Sequence, residues 1–202
     1  MLVLVVAASV AISRSEEGDS EDRYLMQQQC VEALQQQINE ELTASLTYLH
    51  MAAHFHASSS TRKGFFRFFE KQSDEEKKHA HKLIYYISKR GGHVGPFNVV
   101  MPKRSSWGSA EEAIRDAVSL EKELNTKLHT IHKNAERICA DPHLMDFLES
   151  EFLEEQISSI RQLSRMLATL TSFEKENRAV GEYFVDQQLV GEETRKYFDD
   201  EL

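Results

Sequence analysis

The chain has 202 residues, 41% of them apolar and 28% charged, which is enough for one domain built around one core. Three prolines and eight glycines argue against a disordered, collagen-like or turn-rich all-β chain and favour long helices. A net charge of −9 leaves no basic stripe for phosphates, which sets nucleic-acid binding aside and suits small cations.

Residues 1–13, MLVLVVAASVAIS, hold an apolar run too short to span a bilayer and suited to the apolar part of a secretory signal peptide. Ala11 and Ser13 stand three and one positions before a cut at Arg14. The basic residues that usually precede such a run are missing, which leaves a frayed or buried N-terminus as the alternative. Residues 14–24 are acidic and aperiodic and read as a flexible arm.

Apolar residues then recur at steps of three and four in four stretches, the period of one helix face. The first, Tyr24 to His56, reads Leu34, Ile38, Glu41, Ser45, Tyr48, Ala52, Phe55. The second, Arg62 to Arg90, reads Phe65, Phe69, Gln72, Glu76, His79, Leu83, Tyr86 and stops at Gly91-Gly92. Residues 91–108 hold two prolines and four of the eight glycines; 18 extended residues at about 3.3 Å each could run the length of a helix and bring the third helix in parallel to the second. The third stretch opens on a capping box, Ser109 to Glu112, and reads Ile114, Ala117, Glu121, Leu124, Leu128, Ile131. The fourth opens at Asp141-Pro142 and reads Met145, Leu148, Phe152, Gln156, Ser159, Leu163, Met166, Leu170. A shorter piece, Val180 to Leu189, makes a fifth helix. The pattern predicts an all-α four-helix bundle over 25–172, with a long crossover between helices two and three, followed by the fifth helix and a tail over 173–202. The final Asp199-Asp200-Glu201-Leu202 loosely resembles an endoplasmic-reticulum retention tail; an acidic helix end is the plainer reading.

Each stripe carries polar residues near its middle: Glu41, then Glu76 with His79, then Glu121, then Gln156. One such glutamate alone is more often a boundary residue with a solvated head, and one histidine a satisfied core residue. Their coincidence on four helices is harder to dismiss, because a single unpaired buried carboxylate costs several kcal/mol. Cations between these groups would offset that cost, and an oxygen-rich set with one nitrogen suits iron or manganese. The two cysteines, Cys30 and Cys139, form no zinc-type cluster, so a metal site has to use carboxylate, imidazole or amide ligands. Tyr48 is either a core aromatic or a donor that orients a ligand, and His50, His54 and His56 suit the C-terminal end of a helix dipole better than a second metal site.

From about Gln27 to Leu189 the chain resembles ferritins of the heavy-chain, iron-oxidising type, on INEELTASLTYL (38–49), QSDEEKKHAHKL (72–83), LEKELN (120–125), DPHLMDFLESEFLEEQ (141–156) and GEYFVDQQL (181–189). Glu-x-x-His on a bundle helix is a ligand motif of such di-iron proteins. The resemblance implies a ferroxidase centre with Glu41, Glu76 and His79 on one iron and Glu76 bridging to a second held with Glu121. Gln156 and Tyr48 take the supporting positions, Gln156 counted among the ligands, and Glu75 lies beside the path to the cavity. It also implies a hollow cage of twenty-four subunits, alike or mixed, that takes up Fe(II), oxidises it with O2 and stores ferric oxyhydroxide. Iron would enter at three-fold pores lined by Asp146 and Glu149 with His132 near the mouth, while Val180, Phe184 and Gln188 would line an apolar four-fold channel.

Lys78 and His81 stand where relatives hold glutamates for mineral nucleation, beside Asp74 and Glu75. In such a fold Cys30 lies 11 residues before Glu41 and Cys139 lies 18 after Glu121, a mismatch worth roughly 10 Å of helix, whereas a disulfide needs Cα atoms within about 7 Å. An internal bond therefore requires the third helix to end early; an intersubunit bond or free thiols stay open. The signal-like segment suggests a secreted protein, as in ferritins of some invertebrates, with a cytoplasmic one as the alternative. The functional rivals are a structural cage subunit that relies on a partner for iron oxidation and a di-iron enzyme acting on an organic substrate.

Overall fold

The computed structural model describes residues 24–57, 60 and 62–199, with side chains described up to 191; the signal-like segment, most of the acidic arm and the last three residues lie outside these. The architecture is all-helical: α1 (Gln28–His56), α2 (Lys63–Lys89), α3 (Ala110–Arg137), α4 (Pro142–Leu148), a π-helical turn (Glu149–Leu153), α5 (Glu154–Thr171), a 3-10 turn (Lys175–Asn177) and α6 (Arg178–Asp199). α4, the π turn and α5 follow one another without a break and form the fourth rod of the bundle.

The helix ends follow the local chemistry. α2 closes as Gly91, at φ 72°, and Gly92 send their N–H groups back to Ser88 O (3.2 Å) and Ile87 O (2.9 Å). Ser109 Oγ accepts from Glu112 N at 3.2 Å at the start of α3, and Asp141 Oδ1 accepts from Leu144 N at 3.0 Å at the start of α4. The crossover runs along α1, where Gln35, Asn39 and Thr43, spaced one turn apart, accept from Gly95 N (2.9 Å), Asn98 N (2.9 Å) and Val100 N (3.2 Å).

α1 is antiparallel to α2 and α3, since Met26 N bonds Arg90 O at 3.2 Å and Cys30 pairs with Cys139. α2 and α3 are therefore parallel, as the long crossover permits. The disulfide is internal, with Cα atoms 6.5 Å apart. α3 stops at Arg137 and the chain turns at Ala140, φ 47°, so Cys139 leaves the helix axis instead of extending it by another turn. That early stop removes the axial mismatch.

The fifth helix is longer than its apolar period, running from Arg178 to Asp199 rather than from Val180 to Leu189. Its acidic side chains cap two other helices: Asp186 Oδ1 accepts from Phe65 N at 3.0 Å and Glu182 Oε1 from Ala110 N at 2.9 Å, at the positive ends of α2 and α3. Glycine is required at Gly64, where a Cβ would sit 2.1 Å from the Asp186 carbonyl oxygen.

The apolar core divides into two clusters. One is aromatic and joins Tyr48, Phe55, Phe65 and Phe69 to Trp107, Ile114 and Leu163. The other is mostly aliphatic and joins Leu34, Ile38, Leu83 and Ile87 to Leu128, Leu144 and Leu148. Between the two lies a polar layer.

Candidate metal centre

That layer is made of the residues that interrupt the stripes. Glu41, Glu76, His79, Glu121 and Gln156 are all buried, Glu121 completely. One ligand atom each from Glu41, Glu76 and His79 falls within 4.8 Å of the others, close enough to share one cation, the only such group of three among the described residues. His79 Nδ1 lies 3.1 Å from Glu76 Oε2, one helical turn away on the same face of α2.

Glu121 is held from behind. Tyr48 Oη donates to its Oε1, and Gln156 Nε2 donates to its Oε2 at 3.0 Å and to its main-chain oxygen at 3.1 Å. Glu41 is oriented by Gln37, whose Nε2 donates to Oε1 at 2.7 Å. α1 and α2 are pinned beside the site by two serines: Ser45 Oγ donates to Ser73 O at 2.7 Å and Ser73 Oγ to Ser45 O at 2.8 Å. On the fourth rod, Leu144, Leu148, Phe152 and Gln156 recur every four residues on the buried side. A regular α-helix would rotate such a series away from the core, and the wider π turn at Glu149–Leu153 absorbs the excess. This corrects the expected stripe at its start: Leu144 is buried, whereas Met145 is only partly so.

The electrostatics are those of a site short of positive charge. Burial pushes the Glu41 carboxyl well above the usual carboxylate range, and the neighbouring Glu76 adds to it. Burial does the same to Glu76, with the charge of Glu121 next. Glu121 is raised by burial against the opposing hydrogen bonds from Tyr48 and Gln156. The Tyr48 hydroxyl is also raised, by burial and then by the charge of Glu121. Without a cation, these shifts favour protons on the carboxyls. A divalent cation can take their place, because it needs the ligands deprotonated and neutralises them once they are.

A model of the ferritin-like domain matches residues 31–173. The chain belongs to the ferritin family. It is similar to the ferritin middle subunit of Salmo salar, 36% identical over 173 residues that cover 86% of this chain and 98% of that one. Soma ferritin of Lymnaea stagnalis is 40% identical over 160 residues, covering 78% and 88% of the two chains. Ferritin-2, chloroplastic, of Zea mays is 41% identical over 167 residues, covering 81% of this chain and 65% of that one. The span matched to the ferritin-like domain contains every residue of the polar layer.

The remaining residues singled out on the ferritin resemblance lie outside that layer. Glu75 is half-buried, accepts from Gln72 Nε2 and pairs with Lys71 Nζ at 3.1 Å. His132 Nε2 meets Glu149 Oε1 at 2.6 Å, joining α3 to the π turn, and Asp146 is exposed one turn earlier; a single chain closes no pore around them. Val180, Phe184 and Gln188 are exposed on α6, and Asp74, Lys78 and His81 are not part of the buried layer. His54 packs edge-on to Trp107 and His56 against Phe66, with ring centroids 5.6 and 4.2 Å apart. Two residues beside the candidate metal centre carry no signal in the sequence. Gln37 lies one turn before Glu41 with no charge to mark it. Glu155, whose Oε2 lies 3.1 Å from His79 Nε2, sits on the flank of its helix and breaks no apolar stripe.

Proposed function

We propose that the protein is an iron-storage subunit of the heavy-chain type that oxidises Fe(II) to Fe(III) with O2 in the polar layer and passes the product to a ferric oxyhydroxide store. The observation that carries this is the burial of three carboxylates and an imidazole at one level of the bundle, three of them within 4.8 Å through their ligand atoms. Their hard oxygen donors and single nitrogen suit Fe(II) and, still better, the more highly charged Fe(III). Glu41, Glu76 and His79 take one iron, and Glu76 and Glu121 share the second; the two irons together supply electrons to O2. Tyr48 and Gln156 donate to the Glu121 carboxylate and orient it, and Gln37 does the same for Glu41. The rigid helices fix the spacing of the pair in advance, so that binding orders little protein.

The uptake route proposed is through three-fold pores of a cage of twenty-four subunits. There Asp146 and Glu149 from three chains make rings of six carboxylates that concentrate divalent cations, with His132 already on Glu149. Secretion is proposed from the apolar N-terminal run, and the internal Cys30–Cys139 disulfide supports it, since such bonds persist in oxidising compartments. The test is aerobic Fe(II) oxidation by the purified assembly together with its mass. The expected result is saturable oxidation by a particle of about twenty-four chains; oxidation no faster than in buffer would refute the catalytic reading. N-terminal sequencing of protein from its source tests secretion: a mature terminus near Arg14 is expected, and an intact Met1 on cytosolic protein would overturn it.

A further inference from the structure

The two nitrogens of His79 face two different carboxylates. Nδ1 lies 3.1 Å from Glu76 Oε2, on the side of the ligand cluster. Nε2 lies 3.1 Å from Glu155 Oε2, on the opposite side. A neutral imidazole carries one proton and can present a lone pair to a metal only from the other nitrogen. For Nδ1 to serve as the ligand its proton must reside on Nε2, which places an N–H against Glu155.

We propose that Glu155 is a positioning residue for the metal centre: it accepts the Nε2 proton of His79 and so holds the ring in the tautomer whose Nδ1 lone pair points between Glu41 and Glu76. This rests on the reading of the polar layer as a metal site and assigns a role to a residue outside the ligand set. Three features fit it for the task. It lies two residues beyond the π turn Glu149–Leu153, whose extra residue sets the direction in which it and Gln156 leave the helix. Its carboxylate is itself held, with Lys82 Nζ 3.9 Å from Oε2 and anchored in turn 3.2 Å from Glu151 Oε2. The ring it orients packs beside Phe152, centroids 5.5 Å apart, which limits rotation of the imidazole.

Because the Glu155 side chain is 46% exposed, its removal opens no cavity and strands no buried charge. The assembled protein and its Glu155→Ala and Glu155→Gln variants would be titrated with Zn(II) by calorimetry and with Co(II) by its visible absorption; neither ion needs O2. Glu155→Ala is expected to weaken the tightest site by roughly 10- to 100-fold and to alter the Co(II) spectrum, with an unchanged thermal midpoint of the metal-free assembly. Glu155→Gln keeps an oxygen acceptor and is expected to restore binding to within about threefold of the parent. Wild-type affinity in Glu155→Ala would overturn the proposal. So would equal weakening in both variants, which would make the negative charge, not the hydrogen bond, the operative property. A parent protein that binds neither ion would overturn the metal-site reading on which it rests.

Discussion

Two clusters of buried charge lie in the same bundle and are built on opposite principles. At the disulfide end, Arg90 Nη2 pairs with Asp141 Oδ2 at 2.8 Å, Arg90 Nη1 donates to Tyr86 Oη at 2.8 Å, and that oxygen meets His143 Nδ1 at 2.9 Å. Positive and negative charge are matched there, and Asp141 also caps α4. The Arg90 guanidinium is held above its ordinary range by Asp141 and Tyr86 in spite of its burial, and burial pushes the Tyr86 hydroxyl up to about 12. In the central layer, Glu41, Glu76 and Glu121 face one imidazole, and burial raises all three carboxyls. The first cluster is complete within the chain. The second has three carboxylates against one imidazole, and that imbalance is what the proposed cations would offset.

The comparison breaks most visibly at the ligands. Replacing both Glu76 and His79 with Ala is expected to lower the initial rate of Fe(II) oxidation by on the order of 100-fold or more while the assembly persists, as read by stopped-flow absorbance and light scattering. Asp141→Ala should do the reverse: it strands the Arg90 charge and removes a cap, costing about 3–5 kcal/mol and lowering the thermal midpoint, with oxidation at permissive temperature retained. Cys30→Ser with Cys139→Ser releases the cross-link closing a separation of 109 residues, for a loss of about 2–4 kcal/mol. These midpoints have to be compared at one protein concentration and scan rate, because an oligomer's unfolding depends on both.

The smallest expected effect is one of sign. A carboxyl whose pKa is raised in the folded state binds more protons folded than unfolded, from the ordinary carboxylate value near 4.5 up to its raised pKa. Across that window the metal-free layer loses stability as pH rises. Glu41→Gln should therefore stabilise the metal-free protein at neutral pH and flatten its decline as pH rises above the ordinary carboxylate value, while weakening metal binding. Thermal melts in chelator with parent and variant side by side check this; a parent midpoint that climbs over that range relative to the variant would contradict it.

Much of this was legible in the sequence because helix periodicity reports burial directly. Glu41, Glu76, His79, Glu121 and Gln156 stand out where an apolar residue is due, and all five are buried. What periodicity cannot report is anything that departs from a regular helix or acts from its flank. The π turn exchanged Met145 for Leu144 on the buried side because it carries more residues per turn than the pattern assumes. Sequence alone leaves the Cys30–Cys139 bond open, because it depends on where α3 stops, and the left-handed Ala140 gives no sequence signal. The polar ladder of Gln35, Asn39 and Thr43 under the crossover reads in sequence as an ordinary solvated face. Glu155 was hidden for the same reason.

On the function proposed, Glu41, Glu76 and Glu121 with His79 hold two cations in the polar layer. Crystals of the metal-free protein soaked anaerobically in Fe(II) and measured at the iron absorption edge test it most directly. The expected result is two anomalous peaks in the polar layer, one among Glu41, Glu76 and His79 Nδ1 and one between Glu76 and Glu121. Peaks confined to surface acids such as Asp146 and Glu149, with the layer empty and its carboxyls unmoved, would contradict the account.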